Sequence, residues 1–194
     1  GIIKNGVPVI TAETAPKVLS IFEDTCRQKN TYLYQVKRFL PASINKQTLD
    51  HTLFNIAPKM RAGNTKYLPT PRPLGPIQRL GLDNALKKLE NEVFCIKLLG
   101  KHQVTNACTA LLSLMILEQA NSSKPVSASQ IKQSLRTTKW PGRLQIISRQ
   151  PFILVDGAHN LESMLSLTNF PGRSTLFPRC SNKTLEYNAI SEIS

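Results

Sequence analysis

Residues 140–160 read WPGRLQIISRQPFILVDGAHN, and the fold is decided in the second half of that stretch. Pro151 to Val155, with the apolar run Phe152-Ile153-Leu154-Val155, reads as a strand. It ends on Asp156-Gly157-Ala158-His159-Asn160. Ligands of open α/β sheets gather at the carboxyl ends of strands. A carboxylate at that point can hold ribose hydroxyls or a metal-bound water, Gly157 permits close backbone approach, and His159 can move a proton or meet a phosphate. The same residues also read as a turn in which Asp156 caps a helix. Leu144 to Ile147 is a second strand candidate, so the two runs form a strand pair around a turn. Before them, Trp140-Pro141-Gly142 is a rigid turn that holds Arg143, whose planar fork can engage phosphate oxygens in pairs. The alternative is a surface arginine following a turn. Trp140 reads as core or cleft wall rather than a ligand stack.

Upstream, Gly100-Lys101-His102 leads into Gln103 to Gln119, rich in Ala and Leu, free of Gly and Pro, and apolar almost all round. This predicts a buried helix. A helix start after a glycine turn presents unpaired N–H groups and partial positive charge, which suits an anion or the polar edge of a nucleotide. Asn106, in the first turn, is placed to read an adenine edge; Asn106 and His102 also read simply as helix caps. Ser127 to Thr137 is a further helix, with Ser127 and Gln130 in capping-box spacing. At the other end of the chain, Val7 to Thr11 predicts a strand, Ala15 to Gln28 a helix with Thr14 as N-cap, and Thr31 to Val36 a second strand. Strand, helix, strand at this spacing is a βαβ unit and implies a parallel sheet. From Leu40 to about Leu80 the pattern weakens, and Pro69, Pro71, Pro73 and Pro76 read as loop or inserted excursion. Leu82 to Val93 suggests a short helix and Val93 to Leu99 a strand. Residues 161–194 carry no strong periodicity and read as irregular or disordered.

The composition, with 41% hydrophobic and 19% charged residues, is that of a globular chain. No apolar run approaches the roughly 20 residues of a membrane span. The four cysteines are scattered, without a CxxC pair, which favours reduced thiols in the cytoplasm over a disulfide or metal framework. The net charge of +13 raises the question of nucleic acid. The cations are spread along the chain, however, and aromatic residues, at 6%, do not interleave with them as a stacking platform requires.

Four islands, in this order and approximate spacing, resemble the folylpolyglutamate synthase/dihydrofolate synthase family of the Mur ligase superfamily: Gly1-Ile2-Ile3-Lys4 with Gly6-Val7-Pro8-Val9; Leu99-Gly100-Lys101-His102-Gln103 with Asn106-Ala107; Trp140-Pro141-Gly142-Arg143; and Asp156-Gly157-Ala158-His159-Asn160. The resemblance covers residues 1–160, thinly over 40–90. It implies an α/β fold: residues 1–139 as the C-terminal portion of a Mur-ligase-like central ATPase domain, 140–160 as the interdomain link and first strand of a Rossmann-like C-terminal domain, and 161–194 as a divergent tail. It implies an ATP- and magnesium-dependent ligase that adds L-glutamate to dihydropteroate or folate through an acyl phosphate. It also implies that Asn106 and Arg143 contact ATP, Asp156 lies on the ribose side, and His159 is near the phosphates. The expected enzyme is a cytoplasmic monomer acting on small molecules, away from nucleic acid and membrane.

The departures from the family pattern are equally specific. There is no Gly-Lys-Ser or Gly-Lys-Thr phosphate loop. The family's magnesium ligands and carbamylated lysine would precede Gly1, and Lys4 is not that lysine. After Asn160 the family continues into Pro and an Ala-rich helix, where this chain has Leu161-Glu162-Ser163. The expectation is a fragment with no catalytic or metal-binding residue of its own and no turnover alone. The runner-up readings are a peptidoglycan-precursor Mur ligase fragment and a non-catalytic basic nucleic-acid-binding module.

Overall fold

The computed structural model describes residues 1–56, 82, 84–120, 125–161, 163 and 164. The chain opens with the expected βαβ unit. Strand β1 (Val9–Thr11) pairs in parallel with β2 (Leu33–Gln35), Val9 against Leu33, and helix α1 (Pro16–Gln28) makes the crossover. Thr14 is not its N-cap. Ala15 holds that position without a side-chain cap, and the Glu13 carboxylate accepts the N–H groups of Thr14 (2.6 Å) and Ala15 (2.7 Å) instead. Pro16, which lacks an N–H and has a pre-set φ, then starts the helix. A short helix α2 (Val36–Phe39) follows β2 directly.

The next region departs from the sequence reading. Residues 42–56, expected to be irregular, form strands β3 (Ala42–Gln47) and β4 (Thr52–Ile56), which pair antiparallel, and β5 (Val93–Ile96) extends the sheet in the order β3-β4-β5. β3 is an edge strand with its side chains largely exposed and a register shift between Ile44 and Lys46. Its polar Ser, Asn, Lys and Gln therefore carry no alternation to read. On β4, Thr52, Phe54 and Ile56 point into the core, and the Phe54 ring meets Phe94 at 5.6 Å. The proline-rich stretch 69–76 and the excursion read there lie outside the described residues, apart from the flanking strands. Residues 84–87 are helical, within the short helix expected over 82–93.

Helix α3 (Lys101–Ala120) is the centre of the core. Val104, Ala107, Cys108, Leu111, Leu112, Met115 and Ile116 are buried at helical spacing, while Thr105, Asn106 and Leu117 are exposed, so the helix is buried along one broad stripe rather than all round. That stripe packs against α2, β1 and β3. Near its far end, the Lys88 ammonium bonds the Glu118 carboxylate (2.7 Å) and the Val126 carbonyl (2.9 Å), and Glu118 also accepts the Val126 N–H. Helix α4 (Ala128–Thr137) has the expected capping box, Ser127 with Gln130, and packs on β5. Strands β6 (Gln145–Arg149) and β7 (Phe152–Val155) form an antiparallel pair of their own. Both of its faces carry apolar side chains: Ile147, Ile153 and Val155 on the open one, Ile146, Phe152 and Leu154 on the other. Residues 161, 163 and 164 are helical, and the remainder of the tail expected to be irregular lies outside the described residues.

Candidate functional site

The three chemistry-bearing segments, more than 50 residues apart at their extremes, meet at the start of α3. Gly100 turns the chain into the helix with φ +98°, a left-handed conformation open to glycine. The His102 ring folds back over its Cα, and Leu144 closes from the other side. A Cβ on residue 100 would sit 2.6 Å from His102 Cε1 and 2.9 Å from Leu144 Cδ1. Gly100 is therefore fixed both by its backbone and by the two side chains above it. Its carbonyl accepts the Gln103 N–H at 3.0 Å, tightening the first turn.

Arg143 is held from both sides by the residues after β7. The Gly157 N–H donates to the Gly142 carbonyl at 2.8 Å, and the Leu144 N–H donates to Asp156 Oδ2 at 2.7 Å. Gly142 has φ +74°, and Leu144 is held at φ +45°, a conformation that strains a residue with a branched side chain. Leu144 is buried, which covers its side chain, and Asp156 satisfies its N–H. The dipeptide Asp156-Gly157 thus clamps the backbone on either side of Arg143 and leaves its guanidinium exposed. Leu144 is the residue that sequence reasoning missed, because nothing local marks a leucine for a left-handed backbone.

The sequence-predicted residues divide accordingly. Arg143 and Asp156 are brought together with His102: the His102 ring senses both charges. Partial desolvation lowers its proton affinity, Asp156 raises it and Arg143 lowers it. Asp156 caps no helix; one carboxylate oxygen holds Leu144, while Oδ1 accepts no hydrogen bond among the described residues. Asn106 is exposed on the same end of α3 and donates to Gln103 Oε1 at 3.1 Å, and the Gln103 amide nitrogen meets His102 Nε2 at 3.1 Å. Asn106 and His102 are therefore joined through Gln103 and are not backbone caps of the helix. His159 stands apart: it is exposed, and its Nδ1 contacts only the nearby Gly157 carbonyl, at 3.0 Å. Gly157 needs no glycine on steric grounds within this chain, since a Cβ there would meet Gly142 O at an ordinary 3.6 Å.

Trp140 is 64% exposed, which overturns a core position. It lines a cleft of roughly 370 Å³ that reaches from the β3–β4 turn to Arg143 and β6, so the cleft-wall reading holds. Among the described residues no group of three or more His, Cys, Asp or Glu side chains is placed to hold a metal ion, and no helix is long and apolar enough to cross a membrane.

No family model matches the chain. The curated dihydrofolate synthase/folylpolyglutamate synthase of Bacillus subtilis is 25% identical over 167 residues, 86% of this chain and 32% of the relative. The crystal structure of folylpolyglutamate synthase from Thermotoga maritima superposes with a TM-score of 0.61 at 23% identity, over 89% of this chain and 33% of that one. An FPGS complex with AMPPCP and folate superposes at 0.63 with 19% identity, over 92% and 36% respectively. The chain is a partial match to the folylpolyglutamate synthase/dihydrofolate synthase family. It has that family's Mur-ligase-like α/β fold and spans about a third of the length of the relatives it matches over most of its own. Within that fold the cluster around Gly100, Arg143 and Asp156 is where the three motif islands converge.

Proposed function

We propose that this chain is the nucleotide-side portion of an ATP-dependent ligase that adds L-glutamate to dihydropteroate or folate. The observation that carries the reading is the clamp of Asp156-Gly157 on Arg143 beside the start of α3. Three segments distant in sequence converge there, with the Arg143 side chain left exposed. The alignment to the B. subtilis relative runs along most of the chain and supports the same assignment. In this reading residues 1–139 belong to a central domain, 140–160 link it to a C-terminal domain and supply that domain's first strand, and the enzyme is a cytoplasmic monomer.

The residues present fit a nucleotide. An exposed guanidinium on a braced backbone can take phosphate oxygens in pairs. The first-turn N–H groups and partial positive charge of α3 favour the same anion. Asn106, exposed in the second turn of α3, offers an amide to a base, and the unengaged Oδ1 of Asp156 offers an acceptor to a ribose hydroxyl. His159, exposed on the loop that follows, is assigned to the phosphate side by the family resemblance alone. When bound, ATP supplies the phosphoryl group that converts the substrate carboxylate to an acyl phosphate, from which the glutamate amine displaces phosphate. The role of these residues is to bind and orient the nucleotide. Among the described residues no group of three or more His, Cys, Asp or Glu side chains is placed to hold magnesium.

A chimera tests the reading. Residues 1–160 replace the aligned segment of the B. subtilis relative, and ADP release is measured with and without folate and glutamate. Substrate-dependent ADP release is expected, with kcat/KM for ATP reduced about 10- to 100-fold by Arg143→Ala, the worth of a charge-assisted hydrogen-bond pair. A folded, active chimera indifferent to Arg143→Ala, Asn106→Ala and Asp156→Ala would sink the assignment.

A further inference from the structure

Gln103 is the buried polar side chain of α3, at 7% exposure, and the nucleotide reading gives it no role. Its amide stands between two other side chains. The nitrogen meets His102 Nε2 at 3.1 Å, and the oxygen accepts from Asn106 Nδ2 at 3.1 Å. Residues three apart, such as 103 and 106, share a helix face, whereas consecutive ones do not. The contact with His102 is made by a ring turned back over Gly100.

This arrangement has a fixed polarity. An amide nitrogen only donates, so His102 Nε2 accepts, and the ring is the neutral tautomer with its proton on Nδ1. Gln103 Oε1 then faces Asn106, which has to present Nδ2. Asn106 Oδ1 accepts no hydrogen bond among the described residues, so Oδ1 and the second N–H are left for a ligand. That acceptor and donor match the N6–H and N7 of adenine and mismatch guanine, whose O6 and N7 are both acceptors. A second proton on His102 makes both ring nitrogens donors and reverses the order. Gln103 then turns its oxygen to the ring and its nitrogen to Asn106, and Asn106 accepts through Oδ1 with its N–H groups outward. A buried amide has little water to take in place of either partner, so turning one amide alone leaves like groups facing each other. The charged groups around the ring are Asp156 and Arg143, on the segments flanking the hairpin, with Lys101 beside it on α3. Burial and Arg143 favour the neutral ring that the observed order requires, and Asp156 opposes them.

We propose that Gln103 is a positioning residue for base selection: it passes the polarity of the neutral His102 ring to Asn106, which thereby favours adenine over guanine. That role rests on the proposed contact of Asn106 with the base, and the experiment separates the two.

In the intact 194-residue chain, the His102 ring C–H and Asn106 side-chain N–H signals are followed by NMR while ATP and GTP are titrated separately. The two share the triphosphate, so the ratio of their dissociation constants reports the base alone. ATP should bind about tenfold tighter than GTP while His102 is neutral, the scale of one bidentate base contact. The ratio should fall toward parity as pH is lowered through the titration of His102. Gln103→Met keeps the length of the side chain but neither hydrogen bond, and should lose the preference at every pH. Gln103→Glu only accepts, so it should keep Asn106 in the same orientation whether or not His102 is charged. That variant should retain the ATP preference at low pH and titrate His102 at a higher pH than the parent does. A merely structural Gln103 would move neither the ratio nor its pH dependence. If neither nucleotide shifts the Asn106 signals, the base contact is wrong and the positioning role falls with it. If ATP shifts them but Gln103→Met keeps the parent's preference, the contact stands and the positioning role is refuted. A parent ratio that stays constant as His102 titrates, or a Gln103→Glu variant that behaves like Gln103→Met, refutes it as well.

Discussion

Replacing Gly100 by alanine tests whether the corner is built as described. Two penalties act together. The backbone at φ +98° is one that a residue with a Cβ adopts only under strain, about 1–3 kcal/mol. The new methyl would also stand 2.6 and 2.9 Å from the His102 ring and 2.9 Å from the buried Leu144 side chain, an overpacking that typically adds about 1–3 kcal/mol. A loss of about 4 kcal/mol is expected, equivalent for a chain of this size to a fall in Tm of about 8–16 °C. The measurement is urea and thermal unfolding followed by circular dichroism, on the parent and on the single and double variants. His102→Ala alone should change stability by less than about 0.5 kcal/mol, because the side chain is exposed. Combined with Gly100→Ala, it should recover about 1 kcal/mol, since it removes the ring contacts but leaves Leu144 and the backbone strain in place. If Gly100→Ala unfolds within 1 kcal/mol (about) of the parent, or if removing the His102 ring recovers nothing, the packing argument for this corner is wrong.

Other outcomes follow from individual groups. His102 is held below its ordinary proton affinity, so its neutral form is favoured in the folded chain. Its contribution is present above the unfolded value of 6.5 and is lost as pH falls from there to the lower folded value. Urea midpoints of the parent should therefore fall across that window more than those of His102→Gln. Burial raises the Cys108 thiol to about 12 and raises Cys26 as well, with Glu23 adding to the latter. Under native conditions iodoacetamide should label the half-buried Cys95 well before either, read by mass spectrometry of the tryptic peptides. The Thr52 hydroxyl is fully buried and without a hydrogen-bond partner among the described residues, so the near-isosteric Thr52→Val should stabilise the chain by about 1 kcal/mol in the same unfolding assay. A loss of stability there would show that the hydroxyl has a partner.

The sequence by itself determined whatever depends on near neighbours. The Ala- and Leu-rich run free of Gly and Pro over 103–119 predicted α3, the Ser127 and Gln130 spacing predicted the cap of α4, and the βαβ unit at the start of the chain followed from two short apolar runs about a helix apart. The order of the motif islands also gave the family resemblance. Strands β3 and β4 were not legible, because an edge strand exposes its polar side chains and β4 buries the polar Thr52 while leaving the apolar Leu53 half-exposed, which hides the alternation. The Thr14 cap failed because Pro16 opens the helix and puts Ala15 at the N-cap, while Glu13 takes the N–H groups of Thr14 and Ala15. Tertiary structure alone decided the corner itself. Arg143 could be picked out as an anchored cation, but its bracing by Asp156 and Gly157, the left-handed Leu144 and the His102 ring over Gly100 are contacts between segments separated by tens of residues. Local pattern encodes which backbone each segment prefers. Which segments then touch is settled by burial and hydrogen-bond satisfaction across the whole core, and it is there that a turn, a helix start and a strand end become one site.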